Sequence, residues 1–159
     1  MGLLKLTTLS LTIAMMATAQ DNTGRYGGHG YAMFGSGTAG GQGLMSIGVG
    51  GEGFLVKGFA FGSELGYLFP RNFSQGVGLL SLDPAYHFRR SRKHKLVPFV
   101  TAGYSLAFRQ GAFNLVNYGG GVTYWFGRNL GLRLEIRDLR DTSEFAYHST
   151  SIRLALSFR

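Results

Sequence analysis

The sequence predicts an all-β protein, an eight-stranded antiparallel up-and-down transmembrane β-barrel preceded by a cleaved signal peptide. Three observations predict it. Segments of strand length with a side-chain period of two recur between turn residues along the chain. Glycine is abundant, 26 of 159 residues, whereas proline is only 3, so neither a collagen repeat nor a proline-rich tail fits. The polar face of the segments is built of small residues and a few charges of both signs, unlike a face that meets bulk water.

Residues 1–19 carry one early cation, Lys5, then a mostly apolar stretch from Leu6 to Met16, then small residues at Ala17 and Ala19. That is the layout of a signal peptide with cleavage after Ala19, which leaves residues 20–159 as one domain. The apolar part falls well short of the roughly 20 residues that a membrane-spanning helix requires. Hydrophobic residues at 45% and aromatics at 14% give ample surface for a folded core and exclude a disordered chain. The net charge of +8 rests on 12 arginines and 4 lysines, which permits an anionic partner without naming one. The absence of cysteine removes disulfides, thiolate zinc sites and cysteine nucleophiles, and suits an exported bacterial envelope protein.

Eight segments follow in order. The first runs from about His29 to Gly37 and has the weakest pattern. The second, roughly Ser46 to Val56, puts Gly48, Gly50 and Glu52 on one face, and Lys57-Gly58 turns it into the third. In the third, Phe59 to Phe69, Phe61, Leu65, Tyr67 and Phe69 oppose Gly62, Glu64 and Gly66. The fourth, Val77 to Phe88, sets Leu80, Leu82, Pro84, Tyr86 and Phe88 against Ser81, Asp83, Ala85 and His87. The fifth, Leu96 to Arg109, alternates Pro98, Val100, Ala102, Tyr104, Leu106 and Phe108 with Thr101, Gly103, Ser105 and Arg109. Pro84 and Pro98 lead one to expect an edge or a bulge there. The sixth, Phe113 to Phe126, sets Tyr118, Val122, Tyr124 and Phe126 against Asn117, Gly119, Gly121, Thr123 and Trp125, and Gly127-Arg128-Asn129 closes a tight turn. The seventh alternates Leu130, Leu132, Leu134 and Ile136 with Gly131, Arg133, Glu135 and Arg137; the eighth alternates Ile152, Leu154, Leu156 and Phe158 with Arg153, Ala155, Ser157 and Arg159. A helix would mix these sets.

Closing eight such strands on themselves pairs every edge without a helix. Two closed solutions compete: a soluble lipocalin-like barrel with its apolar face inward and a small apolar ligand inside, and a membrane barrel with the faces reversed. Glu52, Glu64, Asp83 and Glu135 nearly balance Arg133, Arg137 and Arg153, so these seven can pair as a structural charge network inside the lumen, with small neighbours leaving room for them. Tyr67, Phe69, Tyr86, Phe88, Tyr104, Phe108, Tyr124, Phe126 and Phe158 lie toward strand ends on the apolar face, where an aromatic girdle at a lipid interface is expected. The membrane barrel is the favoured solution.

The stretch Tyr124-Trp125-Phe126-Gly127-Arg128-Asn129-Leu130-Gly131-Leu132-Arg133-Leu134-Glu135-Ile136-Arg137, together with Phe61-Gly62-Ser63-Glu64-Leu65-Gly66-Tyr67, resembles the small outer-membrane β-barrel family, similar to the transmembrane domain of outer membrane protein A and its eight-stranded relatives. The resemblance implies the outer membrane of a Gram-negative-type bacterium, a structural or surface-interaction role in the cell envelope, and outer-membrane lipid and the barrel assembly machinery as partners. Members typically end in an aromatic residue that the assembly machinery reads; here Phe158 is followed by Arg159.

An eight-stranded lumen is filled by its own side chains, so no porin is expected. The basic run holding Arg89, Arg90, Arg92, Lys93 and Lys95 falls between the fourth and fifth segments, on the periplasmic side if the amino terminus is periplasmic. It is expected to anchor at anionic headgroups, with a cell-wall partner as the sharper reading, and nucleic acid is not expected. The lipid A deacylases are similar in size and strand count and use a serine close after a histidine with a later carboxylate. Here Ser149 directly follows His148, adjacent strand residues point to opposite faces, and no carboxylate follows Glu144, so no enzyme is expected. Gly48 to Gly53 superficially resembles a phosphate-binding loop but precedes no helix. Histidines 29, 87, 94 and 148 lack ligand spacing, and no cofactor or metal is expected. Surface loops are placed at about Gly35 to Gly43, Arg71 to Gly76, Gln110 to Gly111 and Asp138 to His148, the last carrying Asp138, Asp141 and Glu144. A surface partner would bind there.

Overall fold

The computed structural model describes residues 27–72, 75–88, 95–109, 111–142 and 147–159. The expected leader, Glu144 and Arg89, Arg90, Arg92 and Lys93 of the basic run lie outside them. Eight strands, β1 Gly28–Ala39, β2 Gln42–Val56, β3 Phe59–Pro70, β4 Val77–His87, β5 Leu96–Phe108, β6 Ala112–Trp125, β7 Leu130–Asp141 and β8 His148–Phe158, form a closed barrel in sequence order. Every neighbouring pair is antiparallel, and β8 pairs back onto β1 from Gly30↔Phe158 to Ala39↔Ser149. The period of two thus produces the expected up-and-down barrel.

The strands run further than their patterns suggest. β1 and β2 meet in a two-residue turn at Gly40 and Gly41, both with positive φ (52° and 81°), a conformation that glycine adopts without strain. The surface loop expected at Gly35 to Gly43 is therefore mostly ladder. Likewise β7 continues through Asp138 to Asp141 and β8 begins at His148, so both ends of the loop expected at Asp138 to His148 are ladder. Pairing with a neighbour overrides a weak local pattern, because each ladder bond satisfies a backbone group that would otherwise need water.

The prolines create no edge, since a closed barrel has none. Pro84 instead sits in a local interruption of the β4–β5 ladder, between Leu82↔Tyr104 and Ala85↔Thr101. The Thr101 hydroxyl donates to the Pro84 carbonyl at 3.1 Å, so a side chain serves that acceptor within the interruption. Pro98 stays in register opposite Val122, and its carbonyl accepts from the Phe88 amide at 2.8 Å. Among the described residues the one register shift is in β2, between Phe54 and Val56.

The faces sort as alternation predicts. Outward residues are exposed and apolar, among them Leu65, Leu82, Val100, Leu132, Leu134 and Leu154, while the alternate residues are buried inside. The interior, however, is not uniformly polar. Its middle is charged, but toward the loops at 71–76 and 109–111 Leu68, Leu79, Ala107, Leu115 and Leu139 form an apolar layer. At the opposite end, which carries the two termini of the barrel, His29, Phe54, His87, Phe99 and Trp125 pack as an aromatic layer with ring centroids 5.0 to 6.1 Å apart. Arg159 lies over the Trp125 ring at 3.9 Å. The alternation gave no warning of these layers, because an inward Leu or Phe breaks no period-two rule.

Candidate functional site

The candidate site is the barrel interior. Strands β2, β3, β4, β7 and β8 each turn one or more charged side chains inward, and the structure brings all seven expected lumen charges together. Glycines on the same face make the space. Gly119, Gly121 and Gly62 are flanked by Arg137, Glu135 and Glu52 in the neighbouring ladder positions.

Glu135 is the centre. Its carboxylate accepts from Arg137 Nε at 2.6 Å and Arg133 Nε at 3.1 Å, and lies 3.5 Å from Arg153 Nη1. Each arginine then reaches a second acid. Arg133 pairs with Glu52, Arg153 with Glu64, and Arg137 Nη1 with Asp83 at 2.8 Å. Four acids and three bases thereby form one connected network. Isolated, each buried ion would carry a desolvation penalty of several kcal/mol; here every one has an opposite partner.

Neutral groups complete it. The Tyr31 hydroxyl donates to Glu64 at 3.0 Å; Asn117 Nδ2 donates to Asp83 and to Ser105 Oγ, both at 2.8 Å; Ser105 and Ser81 hydroxyls are 2.7 Å apart. The Arg133 guanidinium also lies 3.8 Å from the Phe99 ring centroid, a cation–π contact that joins the charged middle to the aromatic layer.

Sequence reasoning missed two members. His87 Nε2 is 2.6 Å from Glu52, and His29 Nε2 is 3.9 Å from the same carboxylate. Spacing along the chain does not show them: His29 stands opposite Glu52 in the β1–β2 ladder, while His87 reaches it from β4; the signal was the inward parity that His87 shares with Asp83. Among the described residues no group of three or more His, Cys, Asp or Glu is placed to hold a metal.

Of the expected girdle, Tyr67, Tyr86, Phe88, Tyr104, Phe108, Tyr124, Phe126 and Phe158 are exposed on the outer face, and Phe69 is half-buried, stacked on Tyr67 with centroids 6.1 Å apart. Lys95 of the basic run is exposed just before β5, and its carbonyl accepts from the Trp125 amide at 2.7 Å. Ser149 is buried inside and His148 exposed outside, so this pair cannot act as nucleophile and base on one substrate.

No family model matches the sequence, and no curated protein matches it. Solved structures do. The chain is similar to the N-terminal β-barrel domain of Pseudomonas aeruginosa OprF, with a TM-score of 0.65 at 17% identity over 84% of this chain and 98% of that one. It is similar to Neisserial surface protein A, with a TM-score of 0.62 at 11% identity over 86% and 97%. The outer membrane enzyme PagL aligns with a TM-score of 0.54 at 14% identity over 81% and 99%. The chain has the fold of the small outer-membrane β-barrels.

Proposed function

We propose that this protein is an integral outer-membrane β-barrel of a Gram-negative-type envelope whose interior is a sealed plug of side chains, with a structural or surface-interaction role rather than catalysis or solute passage. The observation that carries the reading is the inversion of the two faces. Seven charges are paired inside, while leucines, isoleucines, valines and aromatic rings are exposed outside. A soluble lipocalin-like barrel would need the reverse, an apolar cavity and a charged exterior.

The two end layers support the sealed interior. A polar network closed by an aliphatic layer at one end and an aromatic layer at the other offers no continuous wet path. Outer-membrane lipid and the barrel assembly machinery are the partners of this reading, with a surface or cell-wall partner at the loops or at the basic turn beside Lys95.

The test is gel mobility of the protein from isolated outer membranes, unheated against boiled in detergent. A heat-dependent shift in that fraction is expected. A soluble periplasmic protein with no shift would overturn the reading and exchange inside for outside.

A further inference from the structure

Among the described residues, the outward face of the eight strands carries charge in one place. Among the described residues, the only charged side chains on it are Asp138 and Arg140 of β7 and His148 of β8. They are one cluster. The Asp138 carboxylate lies 2.7 Å from His148 Nε2, accepts from the Thr150 hydroxyl at 2.9 Å and from Arg140 Nε at 3.1 Å, and stands opposite Tyr118 of β6 in the ladder.

The layering of this cluster matters. The Asp138 side chain is 11% exposed, whereas those of Arg140 and His148 are 45% and 53% exposed. The acid lies beneath and holds two basic groups on the surface. Arg140 is tethered through Nε, and its guanidinium carbon lies 5.5 Å from the Tyr118 ring centroid. A guanidinium and an imidazole fixed side by side suit a tetrahedral oxyanion, and fixing them beforehand lowers the ordering entropy lost on binding.

The position identifies the carrier of that oxyanion. One step along the strands, toward the middle of the barrel wall, Ile136 and Ile152 are paired and exposed, followed by Leu134 and Leu154. A headgroup at Arg140 and His148 therefore has a ready apolar track beneath it for an acyl chain.

We propose that Asp138, Arg140, His148, Thr150 and Tyr118 form a binding site for the phosphate headgroup of a membrane lipid, Arg140 and His148 contacting the phosphate and Asp138 acting as a positioning residue. The proposal rests on the membrane-barrel reading above.

The experiment uses the folded protein in a neutral detergent and native mass spectrometry, with dimyristoyl phosphatidic acid as the probe and dimyristoylglycerol as the lipid of the same chains without phosphate. Retention of the phosphatidic acid and not of the diacylglycerol is expected, undiminished by excess inorganic phosphate. The double variant Arg140→Gln/His148→Gln should weaken retention about tenfold or more, the loss of at least one charge-assisted contact. Arg128→Gln, at the opposite end of the barrel, should leave it unchanged. All three proteins are first checked for the heat-dependent mobility shift. If the proteins lack that shift and stay soluble without detergent, the membrane-barrel reading is what has failed. If they show it, and the double variant retains phosphatidic acid like the unmodified protein or Arg128→Gln loses as much, the site is overturned.

Discussion

Arg133 of β7 and Glu52 of β2, 81 residues apart in sequence, form an ion pair across the interior, and both are buried. Glu52 is held at the same time by His87, and Arg133 by Glu135, so this one pair links the aromatic end of the lumen to its charged centre. Deleting one partner leaves a buried charge short of its counter-ion, which typically costs about 3–5 kcal/mol. Glu52→Gln and Arg133→Met should each lower the urea midpoint of the barrel refolded in lipid vesicles. The double variant should lose clearly less than the two single losses combined, because the charges share one interaction. Strict additivity would mean that the pair contributes nothing as a pair.

Leu134 is outward on β7, between Val122 and Leu154 in the ladder and nearer the middle of the strand. Leu134→Arg should destabilise the barrel in vesicles by about 2–4 kcal/mol, the range for arginine on a lipid face near the midplane. An unchanged unfolding midpoint would show that this face does not meet lipid.

Gly121 is a packing requirement of β6. A Cβ there would sit 2.0 Å from the Leu134 carbonyl oxygen, a backbone atom that cannot move without opening the β6–β7 ladder. Gly121→Ala should cost about 1–3 kcal/mol through overpacking. Gly53 has nothing within 4 Å of the same position, so Gly53→Ala should stay within about 0.5 kcal/mol of the unmodified protein. Equal effects at the two glycines would refute the assignment.

The sealed lumen predicts electrical silence. The protein in a planar bilayer should give no steady conductance, and Leu79→Ser with Leu115→Ser and Leu139→Ser should still give none, since the charged and aromatic layers remain in place. Adding Glu135→Ala and Arg137→Ala to those three should still give none while the aromatic layer of His29, Phe54, His87, Phe99 and Trp125 closes the other end. Steady channels in the unmodified protein would end the plug reading.

Much of the barrel was legible along the chain because strand alternation is a local property. Leu130 to Arg137 and Ile152 to Arg159 assign their faces with no knowledge of a neighbour, and the same parity places Asp83, Glu64 and Glu52 inside. What parity cannot give is height along the barrel axis. Leu79, Leu115 and Leu139 share the inward parity of Ser81, Asn117 and Arg137, yet they form a separate apolar layer. Asp138 falls in the surface loop expected from the sequence at Asp138 to His148; in the structure Leu139 points inward and Asp138 outward, so the alternation runs straight through both.

The sequence by itself determined the all-β class, the number of strands, the inward and outward sets and the identity of the seven interior charges, because each follows from a period of two and from composition. Only the tertiary structure decided which charge meets which, that His29 and His87 converge on Glu52, and that Asp138, Arg140 and His148 share one place on the outer wall. The physical reason is register. Antiparallel pairing brings residues far apart in sequence to the same height, and that height depends on the turns and ladders of all eight strands together.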